Sequence, residues 1–154
     1  MANPSGTGAT FRARSSLACL VTTVALYGVA LGAILIEPGD ALRAVVLLGA
    51  AVVAQIVALI VVHAVIAARC PAEPDDERDT AIDLRASRLA HRVLLGGIVM
   101  ALIAAIAQQV TAERYPTDPA WLSPLWIAHL LVAVLVVGEA SYHGAVSWSY
   151  RRDG

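Results

Sequence analysis

Glu139 and His143 stand four residues apart in a stretch, Pro124 to Ser147, that contains no other acidic or arginine residue. On a helix that spacing puts the carboxylate and the imidazole one turn apart on the same face, and at 100° per residue His129 falls within about 40° of His143. Glu139 also precedes Arg151 by about 18 Å of helix, deep inside an apolar segment. A charge at such a depth in lipid costs roughly 2.5 to 3.5 kcal/mol, so Glu139 should face other helices and be either protonated or paired. His63, six residues before Arg69, reaches a depth similar to that of His143 when successive spans fold antiparallel, so that the second and fourth spans end on the same side.

Three kinds of chemistry suit this set. A carboxylate flanked by histidines exchanges protons near neutral pH, which suits proton-coupled transport. Small multidrug exporters likewise have four spans and one essential glutamate, but theirs lies in the first span and their loops are shorter, so that likeness is architectural. Imidazoles on facing helices also build transition-metal or haem sites, here from His63, His143 and Glu139, with Cys19 and Cys70 toward the same side. No pair has a diagnostic ligand spacing, and Glu139 with His143 lacks the second histidine of a zincin motif. The plainest account is a Glu-His hydrogen bond that fixes helix packing, with no cofactor. Gln55, Gln108 and Gln109 read as interhelical hydrogen-bond donors. Nothing points to catalysis: there is no nucleophile beside a base, no phosphate-cradling loop and no paired acidic motif, so a non-enzymatic role is expected.

The elements that must position these residues are four apolar runs, Leu17 to Ile36, Ala44 to Ala68, Val93 to Ala112 and Pro124 to Ser147. Each supplies the roughly 20 helical residues that cross a hydrocarbon core of about 30 Å. The first run is about twice a signal-peptide core in length and reads as a retained span. Of the 154 residues 58% are hydrophobic, above the roughly 45 to 50% of soluble domains, and the charges gather between the runs. The expected fold is therefore all-α: one membrane domain over residues 1–154, a four-helix bundle running up-down-up-down. Small residues, Gly28 and Gly32 on the first span and Gly96, Gly97, Ala101, Ala104 and Ala105 on the third, suggest close helix packing.

Nine of the 11 arginines, at 12, 14, 69, 78, 85, 88, 92, 151 and 152, lie on one side, with only Arg43 and Arg114 on the other. By the positive-inside rule both termini and the loop 69–92 are cytoplasmic. Trp121 and Trp126 then mark the outer interface, Trp148 and Tyr150 the inner one. Every basic residue is arginine, and alanine, valine and leucine dominate, a bias of GC-rich bacterial genomes; the expected location is a bacterial inner membrane. A net charge of -1 gives no field for nucleic acid, and none is expected as a partner. Cys19 and Cys70 fall near cytoplasmic ends, where thiols stay reduced.

The loop carries the most distinctive segment, Asp75 to Arg92. Pro74 and Asp75 give a helix start, carboxylates gather in the first turns and arginines in the later ones. Ile82, Ala86, Leu89 and Val93 form an apolar stripe, so an amphipathic helix should bend into the third span. The arginines suit lipid phosphates. Few of the carboxylates have an arginine four residues on, so their partners should lie on another helix, another subunit or a soluble protein.

The box Asp76-Glu77-Arg78-Asp79, followed by Ile82, Arg85-Ala86 and Ala90, resembles one in a family of small uncharacterised prokaryotic four-span membrane proteins. The resemblance covers some 15 residues and the four-span layout, and implies membership without a function. Together these readings describe a small inner-membrane protein acting by interaction or regulation. Its partners would be the bilayer and either a second copy or a protein at the loop, through Asp76, Glu77, Arg78, Asp79, Arg85 and Arg88. A transporter or a metal- or haem-binding protein centred on Glu139, His143 and His63 is the alternative.

Overall fold

A computed structural model describes residues 7–36, 40–69, 76–114 and 124–152. Residues 37–39, Cys70, Pro74, Asp75 and Trp121 lie outside the described residues. Four helices account for the rest: α1 (Thr7–Ile36), α2 (Ala41–Arg69), α3 (Glu77–Arg114) and α4 (Pro124–Arg152). All four are long and apolar enough to cross a membrane, the four-helix architecture expected.

Asp40 opens α2 by accepting the backbone N–H of Arg43 at 2.9 Å, and Asp76 opens α3 by accepting that of Asp79 at 2.7 Å. These caps satisfy amides that have no partner inside the helix. The start signal of α3 thus falls on Asp76. From there α3 runs 38 residues without interruption, about 57 Å, so the amphipathic segment leads straight on into the third span as one helix.

Packing follows the order α2, α1, α4, α3. Contacts are extensive between α1 and α2, α1 and α4, and α3 and α4, whereas α2 and α3 share no extensive contact. In the spanning windows 22% of α1 and 17% of α4 is buried, against 6% for each of α2 and α3. The inner pair therefore organises the bundle, and the apolar side chains along the outer faces are left to lipid.

The close approach between helices falls at Gly97, as the sequence suggests, and at Gly138, which it does not single out. A Cβ at Gly97 of α3 would run into the Val134 side chain, and one at Gly138 of α4 would lie 2.6 Å from Leu94. Each glycine is the hole for the other helix's knob, and Ala101 continues that face of α3, 2% exposed. Gly28, Gly32 and Gly96 meet nothing within 4 Å. They lie off the lines that α1 and α3 present to α4, so composition and spacing alone overstate their role.

Candidate functional site

At the arginine-rich end, Ile82 and Ala86 of α3 are buried against Val146 and Tyr150 of α4, with Ala13 of α1 alongside. The apolar stripe is correct in its first half. Leu89 departs from it, at 46% exposed, because the buried line advances through Ala86 and Ala90 to Gly97 at helical spacing.

Around this small core two aspartates of α3 meet partners on neighbouring helices. The Asp79 carboxylate accepts the Tyr150 hydroxyl, lies 3.6 Å from the Arg12 guanidinium, and accepts the Asp76 backbone N–H at 3.4 Å. Asp83 accepts the Tyr142 hydroxyl. Two carboxylates of one helix are thus engaged by two tyrosines of α4 and an arginine of α1. Their partners lie on neighbouring helices of the same chain, so Asp79 is committed internally rather than held for a separate molecule. Tyr150, expected at the lipid interface, is 7% exposed for the same reason, whereas Trp148 is 67% exposed.

Deeper in the same cleft two adjacent serines of α1 engage two histidines. Ser15 Oγ lies 2.7 Å from His63 Nε2, and Ser16 Oγ lies 3.2 Å from His143 Nδ1. His63 Nδ1 is 2.8 Å from the Leu59 carbonyl oxygen, which only accepts. The network therefore assigns the ring proton of neutral His63 to Nδ1, and the Ser15 hydroxyl donates to Nε2. His143 turns its Nε2 toward Glu139, at 3.7 Å. The cleft, about 190 Å³, is lined by Arg12, Ser15, Ser16, Cys19, His63, Asp79, Asp83, Tyr142, His143 and Tyr150 together with Phe11, Ile82 and Val146.

His63 and His143 do reach the same cleft, on either side of the serine pair. Glu139 does not join them there. Its side chain is 67% exposed and lines a separate groove between α2 and α4, so the expectation that it faces the bundle is met only by its approach to His143. Among the described residues no three His, Cys, Asp or Glu side chains gather as a metal site requires. His63, His143 and Glu139 therefore do not converge on one point. Cys19 is a free, buried thiol. His129 is buried, 6% exposed, and stands apart at the opposite end beside Leu31, Ile34 and Trp126. Gln55 does bond between helices, donating to Thr23 of α1 at 2.8 Å, whereas Gln109 donates to Glu113 of its own helix at 3.4 Å.

Arg12, Ser15, Ser16, Tyr142 and Asp83 were not evident as site residues. The signal was present, since Arg12, Ser16, Cys19 and Thr23 recur at spacings of three and four, one face of a helix. Three of them, Ser16, Cys19 and Thr23, are buried. Of the remaining box residues, Glu77, Arg78, Arg85 and Arg88 are exposed. Arg85, Arg88 and Arg92 hold no hydrogen bond or ion pair among the described residues.

With this geometry in place, the comparisons with known proteins add one finding. Residues 13–153 match the model of a family described as "Predicted membrane protein (DUF2178)". No curated protein and no solved structure matches the chain. The match takes in nearly all of the sequence, and the chain belongs to that family.

Proposed function

We propose that this member of the DUF2178 membrane family acts by interaction, without catalysing a reaction, through the arginine face of the α3 extension. The proposed setting is a bacterial inner membrane with both termini in the cytoplasm. One observation carries the reading: Asp79 and Asp83 are engaged within the chain by Arg12, Tyr142 and Tyr150, while Arg85 and Arg88 are exposed and hold no hydrogen bond or ion pair among the described residues. A solvated spacer has no need to sort its charges in this way. The headgroup layer is only about 5 to 8 Å deep on each side. Arg92 and Arg88 fall within its reach, but Arg85 stands about 10 Å along the helix from Arg92, beyond it. The partner is thus an acidic protein surface, on a second copy or on another chain.

A photo-crosslinking side chain at position 85 should give a discrete protein adduct, and Arg85→Glu with Arg88→Glu should abolish that partner's co-purification while leaving the spans folded. Adducts to lipid alone would reject the reading. For the orientation, reporters after Gly154 and within residues 76–83 should signal from the cytoplasm and one near Pro119 from outside. An external signal from residues 76–83 would overturn it.

A second reading is favoured by the histidine arrangement. His63 and His143, bridged by Ser15 and Ser16 and followed by Glu139, give a line of proton-exchanging groups running from the cleft into the membrane, as proton-coupled transport requires. Proton uptake by vesicles that is lost in Glu139→Gln would support it.

A further inference from the structure

Glu139 lies at membrane depth, in a groove that offers it no full counter-charge. The groove is about 220 Å³, with Thr23 and Tyr27 of α1 as its floor, Leu48 and Val52 of α2 on one side, and Val136 and Glu139 of α4 on the other. Two-thirds of the glutamate side chain is exposed, and its one ion-pair partner among the described residues is His143 at 3.7 Å. That separation is too long for a hydrogen bond, and Ser16 holds the other nitrogen of the ring.

The chemistry of the walls decides what can occupy this place. A lipid tail covers the valines and leucine but leaves the carboxylate uncompensated at a cost of roughly 2.5 to 3.5 kcal/mol. An inorganic cation would need several oxygen ligands, and the groove offers one carboxylate, one threonine and one tyrosine. A second copy docking groove to groove would sit at the same depth and set Glu139 against Glu139, which disfavours ionisation of both. A positively charged nitrogen on an apolar body meets every requirement. The charge compensates the carboxylate, the body covers the aliphatic walls, and Tyr27 offers an aromatic ring to a cation.

We infer that the groove between α2 and α4 is a binding site for a lipophilic organic cation, with its charged nitrogen on Glu139 and its apolar body on Leu48, Val52, Val136 and Tyr27. Pockets for drug-sized ligands run from about 300 Å³ upward, so the ligand is a small aryl- or alkylammonium that enters from the membrane. The site does not depend on the Arg85 and Arg88 surface. It supplies a ligand class for the transport reading, and it holds for binding alone if no transport follows.

The test is calorimetric titration of the full chain in detergent with benzyltrimethylammonium, using neopentylbenzene as its uncharged isostere. The ammonium should bind saturably, and the isostere should not distinguish the parent from Glu139→Gln. Affinity should fall at least about tenfold in Glu139→Gln, as removing the charged partner of a desolvated pair implies. A similar loss is expected in Val52→Trp, which fills the groove and leaves the carboxylate in place. Arg85→Glu with Arg88→Glu should leave binding unchanged, so failure of the interaction reading and failure of this one are separable. Glu139→Gln keeps the size and polarity of the residue, so the result does not hinge on whether the tryptophan variant folds. Equal affinity in Glu139→Gln, or no saturable binding to the parent, would overturn the inference. So would efficient disulfide dimerisation of Val136→Cys, because a second copy would then occupy the groove.

Discussion

The two ends of the α1 interface are built on different physics. Toward the arginine-rich end α1 meets its neighbours through Arg12, Ser15, Ser16, Cys19 and Thr23, each engaged with or packed beside a polar group of α2, α3 or α4. Toward the opposite end it meets them through Ala30 and Ile34, both buried. The cleft at that end, about 140 Å³ beside Ile34 and His129, is walled almost wholly by apolar side chains, as is one of about 340 Å³ between α3 and α4 at Ala104, Gln108 and Trp126. In lipid, burying leucine against leucine gains little, because the tails are as apolar as the side chain. Hydrogen bonds and close backbone approach must therefore set register, and in this chain they cluster toward one end. The end with polar contacts is specified, and the other is merely covered.

The sharpest way to break this contrast is Asp79→Ala. It removes the acceptor of the Tyr150 hydroxyl, leaves half-buried Arg12 without that carboxylate, and takes one member from the α3 cap. Charge-assisted bonds contribute about 1.5 to 3 kcal/mol and a cap about 1, so roughly 2 to 4 kcal/mol is expected. Amide hydrogen exchange should report the loss over residues 77–92, and protection unchanged there would mean that the apolar core of Ile82 and Ala86 suffices. Next in size is Gly138→Leu, which drives a side chain into Leu94. Overpacking of this kind costs about 1 to 3 kcal/mol and should lower the thermal midpoint in detergent, whereas Gly28→Leu, facing open space, should leave it in place. Equal effects of the two glycine variants would show that α3 and α4 do not pack through Gly138.

Ser15→Ala and Ser16→Ala test whether the serine pair links three helices. Each should cost about 0.5 to 1.5 kcal/mol, measured by thermal unfolding, with the larger effect at Ser15, whose bond to His63 is the shorter. A polar-to-apolar change on the opposite half, such as Thr111→Val, should fall within about 0.5 kcal/mol, since among the described residues the Thr111 hydroxyl bonds only to the Ala107 carbonyl of its own turn. The smallest stability effect is expected from Arg85→Glu with Arg88→Glu, within about 0.5 kcal/mol, because both are exposed and neither holds a bond among the described residues. A large destabilisation would move these residues from the partner surface into the clasp.

Much of the fold was legible beforehand, and the reasons are local. Four uninterrupted apolar runs require four helices, since lipid leaves no other way to satisfy a backbone. The start of α3 was legible to within a residue, because the cap at Asp76 directly follows the Pro74 and Asp75 signal. The site was legible only in pieces. His63 and His143 could be matched by depth, because the second and fourth spans both end at the arginine-rich side and share a ruler of 1.5 Å per residue. The serines between them could not, because a short hydroxyl in an alanine-rich helix carries no signature until its partner is known. Glu139 was recognisable as costly from its depth, but which face it occupies depends on the neighbours of α4.

Residue type and spacing by themselves determined the number of helices, their membrane character and the asymmetry of the arginines. These depend on quantities summed along one chain segment: hydropathy, length and charge. Tertiary structure alone decided that α1 and α4 form the inner pair, that of the small residues singled out Gly97 but not Gly28 or Gly32 admits a neighbouring helix, with Gly138 added to it, and that Asp79 and Asp83 are engaged within the chain. Those choices depend on the rotation of each helix about its axis. In a uniformly apolar chain many rotations have similar energies, so the choice falls to a few polar and small-residue contacts between segments far apart in sequence.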